Sequence, residues 1–589
     1  MKKDAKKRGK LIDAVLARMS IEDRVGQCIT FEFTGTCVTP AVRRKIVSLR
    51  CGGLRATPHV HEALPYGVRK SSEGDVQRRS PWAGPAEYAT VLNELQRLAM
   101  GRESPSTGSG PRATSRGGIP LHVSVDCEGD LSADYARGGV NLLPTQMGMR
   151  ATGDLDLARK GWQVLARQLR AAGINMIHSP CVDIDFVPNN PTIGVRSFAD
   201  TPETVAEWGL AMAETLAAGG IIPTAKHFPG RGFSKVDTHY GLDVNERTLD
   251  ELLANEFYPY RKLFEAGIPA CLPSHTMYRA IDPDGVPASV SKRLHEFTRN
   301  ELGFDGVLAT DAIGMAGVLK FCDNSLPKAA CAALVAGNDL VLVKTTEDFE
   351  PLVVEEILRA VERGDLTEAE LDAHVRRVVG MKFDAGLFER YPVDAEGALA
   401  PVRDPENRAT VAEIARRCST LLCDDDRLLP LKPDRRVLCV EPYFPLLQDR
   451  GNDFWWHSNM LQEFMSEHSP NIGSHEVLNG GDETDAEAIV AESADYDVTV
   501  VVCQKFRNGP SSSHIAGKLI AAGRRVVVLS TNPYEFSIPD NARTVLVTYG
   551  QVPPILRNAA AVLYGKAKPA GVWPLANYRS PFDKLGVQS

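Results

Sequence analysis

Between residues 25 and 345 the chain alternates two periodicities. Short apolar runs rich in β-branched residues are separated by amphipathic stretches with apolar positions three and four apart. That alternation calls for βα units around a parallel sheet. The runs predict strands at 28–33, 53–56, 121–126, 175–179, 223–227, 270–273, 306–310 and 339–343. Eight strands over about 320 residues fit a (β/α)8, TIM-like barrel, whose chemistry gathers where the strand C-termini meet the βα loops. A doubly wound open sheet competes, but no run leads into the glycine-rich phosphate loop such sheets often carry. The connection 59–118 is far longer than an ordinary βα link and contains a polar tract at 103–118.

Past residue 354 the pattern turns helical, with LTEAELDAHVRRVVGMKFDAGLF placing apolar residues on one face. A Pro-bearing stretch at 391–405 reads as a linker. A helix at 407–423 and strands at 437–440, 498–503, 526–530 and 544–548 then predict a second α/β layer structure with an open sheet. The expected organisation is a barrel domain over 1–390, the linker 391–405, and an α/β sandwich domain over 406–589. A length of 589 residues agrees, since one core seldom serves so long a chain.

Composition narrows the functions. Hydrophobic residues at 43% and charged residues at 24% describe a folded globular chain. A net charge of −8, from 67 Lys+Arg against 75 Asp+Glu, leaves no broad basic face, so nucleic acid is not expected as a partner. The basic N-terminus lacks a signal-type apolar stretch and no long uncharged apolar run occurs, so a cytoplasmic location and no membrane span are expected. The twelve cysteines are scattered without a CxxC pair, as buried reduced thiols would be. There is no HExxH, DxDxDG or clustered Cys/His set, and neither a metal nor another cofactor is expected.

The polar residues at strand ends are the candidates for chemistry. Asp126, His227, His275 and Asp311 each stand at or just after an apolar run. The densest segment, KHFPGRGFSKVDTHYG, runs from Lys226 and His227 through a glycine-bearing loop to Asp237 and His239. An Asp two positions before a His can orient the imidazole and support its protonated form, which a proton shuttle needs. Asp311 closes GFDGVLATD and is a candidate nucleophile, although a strand-end Asp can equally cap the next helix. Arg196, in NNPTIGVRSF, could reach hydroxyls or carboxylates.

In these segments the chain resembles glycoside hydrolase family 3, and most closely its β-N-acetylglucosaminidase branch. KHFPGRGFSKVDTHYG is similar to that branch's KHFPGHG…DSH loop, GFDGVLATDAIGM to its nucleophile strand, and NNPTIGVRSF to its Arg-bearing segment. LPSHTMYRAIDPDGVPASVSKRL extends the likeness, and ARRCSTLLCDDDRLLPLK and YGKAKPAGVWPL resemble the start and end of the family's second domain, giving coverage from residue 12 to 577. The resemblance implies a retaining mechanism. Asp311 would attack the anomeric carbon, His239 oriented by Asp237 would serve as acid and then base, and Asp126, Arg196, Lys226 and His227 would hold the sugar hydroxyls. His275 and Arg231 join them as substrate-binding candidates.

Two segments depart from the family pattern. Gly230-Arg231-Gly232 stands where GHG is usual, and Asp126-Cys127-Glu128-Gly129-Asp130 where DQEGG is usual. Arg231 and the 59–118 connection could admit an acidic or larger aglycone, or reshape the site for a sugar without an N-acetyl group. The leading expectation is hydrolysis of terminal β-linked N-acetylglucosamine by a monomer or homodimer acting on a small carbohydrate. The alternatives are a β-glucosidase or glycoside phosphorylase of the same family, and a sugar-binding protein without turnover.

Overall fold

In the computed structural model the described residues are 5–57, 83–101, 118–130, 132–136, 139–188, 190–345, 347–443, 459–504 and 511–578. Eight strands form a closed barrel: β1 (Ile29–Thr34), β2 (Gly53–Thr57), β3 (His122–Val125), β4 (Met176–Ile177), β5 (Ile222–Phe228), β6 (Ala270–Pro273), β7 (Val307–Ala312) and β8 (Leu340–Val343). Each pairs in parallel with its neighbour in chain order, and β1 closes on β8 with Ile29 opposite Val341. Closure removes the open-sheet alternative. It also explains the unbroken apolar runs, since side chains fill the inside of the barrel while helices cover the outside.

The long connection between β2 and β3 contains the helix Pro85–Ala99, which enters through a Pro in its first turn and buries Leu92, Leu95 and Leu98. Gln96 on that helix donates to the Leu121 carbonyl and accepts from the Leu121 N–H, both at 2.9 Å, tying the helix to the start of β3. This stretch of the 59–118 connection is therefore an ordinary barrel helix. Residues 58–82 and 102–117, which hold nearly all of the polar tract, lie outside the described residues.

The second sheet runs in the order β9-β14-β13-β12-β10-β11, with β9 (Thr420–Asp424), β10 (Val437–Tyr443), β11 (Ile472–Leu478), β12 (Val498–Cys503), β13 (Val526–Ser530) and β14 (Thr544–Val547). Two edge strands differ from the sequence expectation. The helix expected over 407–423 is Pro405–Cys418, and the chain then extends into β9, antiparallel to β14. β11, with sequence IGSHEVL, keeps most of its side chains at least partly solvated, so it shows no apolar run. The stretch 391–405 does not hang free. Tyr391 Oη accepts from Asn175 at 2.6 Å, and Asn93 bonds both the N–H and the carbonyl of Val393 at 2.8 Å.

The second domain grips the mouth of the barrel through the loops that carry site residues. Asp130 Oδ1 accepts the N–H groups of Gln551 (2.6 Å) and Val552 (3.0 Å), and the Thr145 hydroxyl donates to the Tyr549 carbonyl at 2.6 Å. Asp200 accepts three successive N–H groups from Ala576, Asn577 and Tyr578. Asp185 accepts the Tyr534 hydroxyl in a buried contact. Burial pushes the Asp185 carboxyl up to about 7, against the opposing pull of that hydrogen bond.

A carboxyl raised in this way weakens the fold as pH climbs from its unfolded value, near 3.9, through about 7. Asp185→Asn is therefore expected to stabilise the protein by roughly 3–4 kcal/mol more at pH 8 than at pH 4. Thermal unfolding of both proteins at the two pH values checks this. The same displacement at both would show that Asp185 is not the group titrating.

Candidate active site

Five strand ends deliver charged groups to one side of the barrel. Lys226, on β5, places Nζ 3.1 Å from Asp126 Oδ1 and 2.6 Å from Glu128 Oε1. Arg196, in a single 3-10 turn after β4, makes a two-pronged pair with Glu128 at 2.6 and 3.0 Å. Gln146 donates to the Arg196 carbonyl at 2.7 Å and so fixes that turn. On β2, Arg55 reaches both Asp126 and, at 2.6 Å, Asp134. His178 adds a contact at 3.3 Å to Asp126. Burial alone would raise the Asp126 and Glu128 carboxyls. Lys226 with Arg55 for Asp126, and Arg196 with Lys226 for Glu128, outweigh it, Glu128 settling at about 2.

His227 is the second anchor. Its Nδ1–H donates to Asp183 Oδ2 at 2.6 Å, which leaves Nε2 to accept from Arg196 Nη2 at 3.2 Å. Burial lowers the His227 pKa, in keeping with a neutral ring facing a guanidinium. Asp183 also receives the backbone N–H groups of His227 (3.2 Å) and Arg231 (2.6 Å) and the Cys181 thiol (3.2 Å). Cys181, Asp183 and His227 are close enough to hold a metal ion, but these hydrogen bonds already link the three donor groups to one another.

Asp311 lies on β7 with Oδ1 accepting the Ala312 N–H at 2.7 Å. Burial would raise its carboxyl, but the rings of His227, His275 and His239 and that N–H outweigh burial and hold it well below the usual carboxylate range. His275 has both nitrogens in use. Its Nε2–H donates to the Ala312 carbonyl at 3.1 Å and Nδ1 accepts from the Ser289 hydroxyl at 2.7 Å. Burial pushes His275 down to about 4, so near neutrality it is an uncharged brace beneath the Asp311 segment.

The loop after β5 carries the dyad. His239 Nδ1–H donates to Asp237 Oδ1 at 2.7 Å, and the His239 backbone N–H meets the same oxygen at 3.0 Å. Burial would raise Asp237, but these bonds prevail and its carboxyl sits at about 2. The His239 side chain is 25% exposed against 5% for Asp237, so the imidazole meets solvent and the carboxylate does not. With Nδ1 committed, the exchangeable proton is the one on Nε2. An ionised carboxylate and an oriented imidazole in one electrostatic environment can divide nucleophilic attack and proton transfer between them.

The sequence candidates thus converge: Asp126, Arg196, Lys226, His227, Asp237, His239, His275 and Asp311 share one network of contacts and charges. Arg231 belongs to it as well, yet it is buried, with only 2% exposure. Four further members, Arg55, Asp134, His178 and Asp183, escaped the sequence reading. Arg55 had a signal, being a lone cation inside the buried strand GLRAT. Asp183 had a weaker one, a carboxylate in the apolar stretch just after β4. The unusual Asp130 in Asp126-Cys127-Glu128-Gly129-Asp130 faces the second domain rather than the sugar-side network. Its neighbour Gly129 is at φ +96°, where a Cβ would lie 2.0 Å from the Pro144 carbonyl oxygen.

Comparison with known proteins places this fold in a family. The model of the glycosyl hydrolase family 3 N terminal domain matches residues 95–381. A protein of Cellulomonas fimi named β-N-acetylglucosaminidase/β-glucosidase is 28% identical over 555 residues, covering 89% of this chain and 92% of the relative. A β-hexosaminidase of Stenotrophomonas maltophilia is 32% identical over 304 residues, 51% of this chain and 84% of that protein. The solved structure of a glycoside hydrolase family 3 β-N-acetylglucosaminidase from Paenibacillus sp. str. FPU-7 superimposes with a TM-score of 0.81 at 25% identity, over 95% of this chain and 99% of that one. With the barrel, the second sheet and the strand-end residues all in place, this chain belongs to glycoside hydrolase family 3.

Proposed function

We propose that the chain is a retaining glycosidase that releases terminal β-linked N-acetylglucosamine through a covalent glycosyl-aspartate. The observation that carries this reading is the ionised Asp311 ringed by His227, His275 and His239, with His239 paired to Asp237. In the first step Asp311 attacks C1 while His239 Nε2–H protonates the departing oxygen. In the second, His239, now neutral, takes a proton from water as that water displaces the aspartyl ester. Asp126, Lys226, Arg196 and His227 hold the ring hydroxyls, pre-oriented by Glu128, Asp183 and Arg55. The hexosaminidase names of the relatives support N-acetylglucosamine as the sugar.

A β-glucosidase is the second reading, because the Cellulomonas fimi relative carries both activities in its name. A binding protein without turnover is disfavoured by the complete set of reacting groups. The decisive experiment compares p-nitrophenyl β-N-acetylglucosaminide with the β-glucoside and follows the first-formed anomer by NMR. Faster turnover of the former with β product is expected, whereas α product would overturn retention and preference for the glucoside would overturn the sugar assignment.

The charge states also set the pH profile. With Asp311 and Asp237 held below the usual carboxylate range, the acid limb of kcat/KM should lie below that of an unperturbed carboxylate. The basic limb should follow loss of the Nε2 proton from His239. A profile that keeps its basic limb after His239→Ala would assign that limb to another group.

A further inference from the structure

Arg196 meets Glu128 and His227 with its guanidinium, yet the turn that carries it, Gly194–Arg196, is seated on the second domain. Val195, the middle residue of that turn, packs against a core that contains Val440, Val501, Val528 and Val547 from the second sheet. Met147 and Ala151 of the barrel domain are buried in the same core. They belong to the short helix Gln146–Ala151, whose first residue, Gln146, donates to the Arg196 carbonyl at 2.7 Å. One apolar surface of the second domain thus supports both the turn and the residue that fixes it.

A polar link runs alongside the apolar one. Tyr534 donates its hydroxyl to the buried Asp185 carboxyl, and the Gly194 N–H lies close enough to favour the ionised form of the same carboxyl. Asp185 therefore stands between a second-domain side chain and the first residue of the Arg196 turn. Tyr534 is itself buried, with the Tyr578 ring edge to face against it at 5.1 Å. Tyr578 in turn gives its N–H to Asp200 at 2.9 Å, in the segment that follows Arg196. A single turn of 3-10 helix has few hydrogen bonds of its own and poor geometry in them, so its shape follows from what it is packed against.

We infer that the second domain positions the sugar-binding Arg196: Val195, and Tyr534 through Asp185, fix the Gly194–Arg196 turn and with it the place where the guanidinium meets the ring hydroxyls. The inference rests on the proposed glycosidase reading, in which Arg196 holds those hydroxyls. Val195 and Tyr534 are positioning residues, acting on the substrate through Arg196. A guanidinium displaced from its place loses hydrogen bonds to the sugar in the ground state and the transition state alike, so the loss falls on KM more than on kcat.

The test uses the full-length enzyme in four forms: wild type, Tyr534→Phe, Arg196→Ala and the double variant. Hydrolysis of p-nitrophenyl β-N-acetylglucosaminide by the wild type is measured first. Its absence refutes the glycosidase reading, whatever Tyr534 does. Given turnover, Tyr534→Phe is expected to raise KM about fivefold with kcat nearly unchanged. In the Arg196→Ala background the same substitution should change kcat/KM by less than about twofold, because the side chain it positions is gone. The dissociation constant for N-acetylglucosamine, measured by calorimetry on the same four proteins, gives the cycle a second reading that needs no turnover. Equal factors in the two backgrounds would overturn the inference and assign the effect to general loosening of the domain contact, and an unchanged KM in Tyr534→Phe would overturn it outright. Should Tyr534→Phe fail to fold, Val195→Ala, which leaves the Asp185–Tyr534 contact in place, passes through the same cycle with the same outcomes.

Discussion

Asp311→Asn is expected to lower kcat for aryl β-N-acetylglucosaminides by about 10⁴-fold while leaving the fold intact. The amide keeps an acceptor for the Ala312 N–H, which meets Oδ1 at 2.7 Å, but it carries no charge with which to attack C1. Asp311→Ala opens space at the same point, and azide added to that variant should produce the α-glycosyl azide by one displacement from the vacated face. Steady-state kinetics and NMR of the azide product measure both. Wild-type turnover in Asp311→Asn, or a β-configured azide, would remove Asp311 from the nucleophile role. The expected effect is large because the attacking charge is lost with the carboxylate, which the Ala312 N–H and the surrounding polar rings keep ionised in a position where burial alone would favour the neutral acid.

The second large effect concerns His239. Its replacement by Ala should reduce kcat/KM by about 10²–10⁴-fold for substrates whose leaving group needs a proton. For p-nitrophenyl and dinitrophenyl glycosides, which leave as stable anions, glycosylation should fall far less. A plot of log kcat/KM against leaving-group pKa is therefore expected to steepen in His239→Ala. Asp237→Asn should move the same slope part of the way, because Asp237 Oδ1 both orients Nδ1–H at 2.7 Å and stabilises the imidazolium. Uniform losses across the series would show that His239 is not the acid. The buried, hydrogen-bonded Asp237 at about 2 remains ionised throughout the pH range of such an experiment.

How far the primary structure foretold this arrangement depends on what each residue type had to do. The barrel strands were legible because both faces are buried, so their apolar runs are uninterrupted and every one of the eight lies where the pattern placed it to within a few positions. The edge strands β9 and β11 were not, because one side of each meets solvent and nothing marks a half-wet strand off from a helix or a loop. Site residues with a strand-end position or a spaced partner, such as Asp311 or Asp237 with His239, announced themselves. Arg55 and Asp183 did not, because their role is to pair with carboxylates and imidazoles that lie 71 and 44 positions away.

Arg231 shows the boundary most sharply. Its identity, its neighbours in the chain and its departure from the family pattern are all readable in the order of the residues, and local context alone suits a solvated basic side chain. Only the folded loop shows it enclosed and without a carboxylate partner among the described residues, since burial and pairing depend on surroundings that Asp183, Asn190 and the dyad loop bring from separate parts of the chain. Periodicity thus determined the barrel and the chemistry at its strand ends, because those follow from local sequence. Which charges cancel, which imidazole stays neutral and which cation is left over were decided by the tertiary structure, because electrostatic energy depends on distance in space and not on distance along the chain.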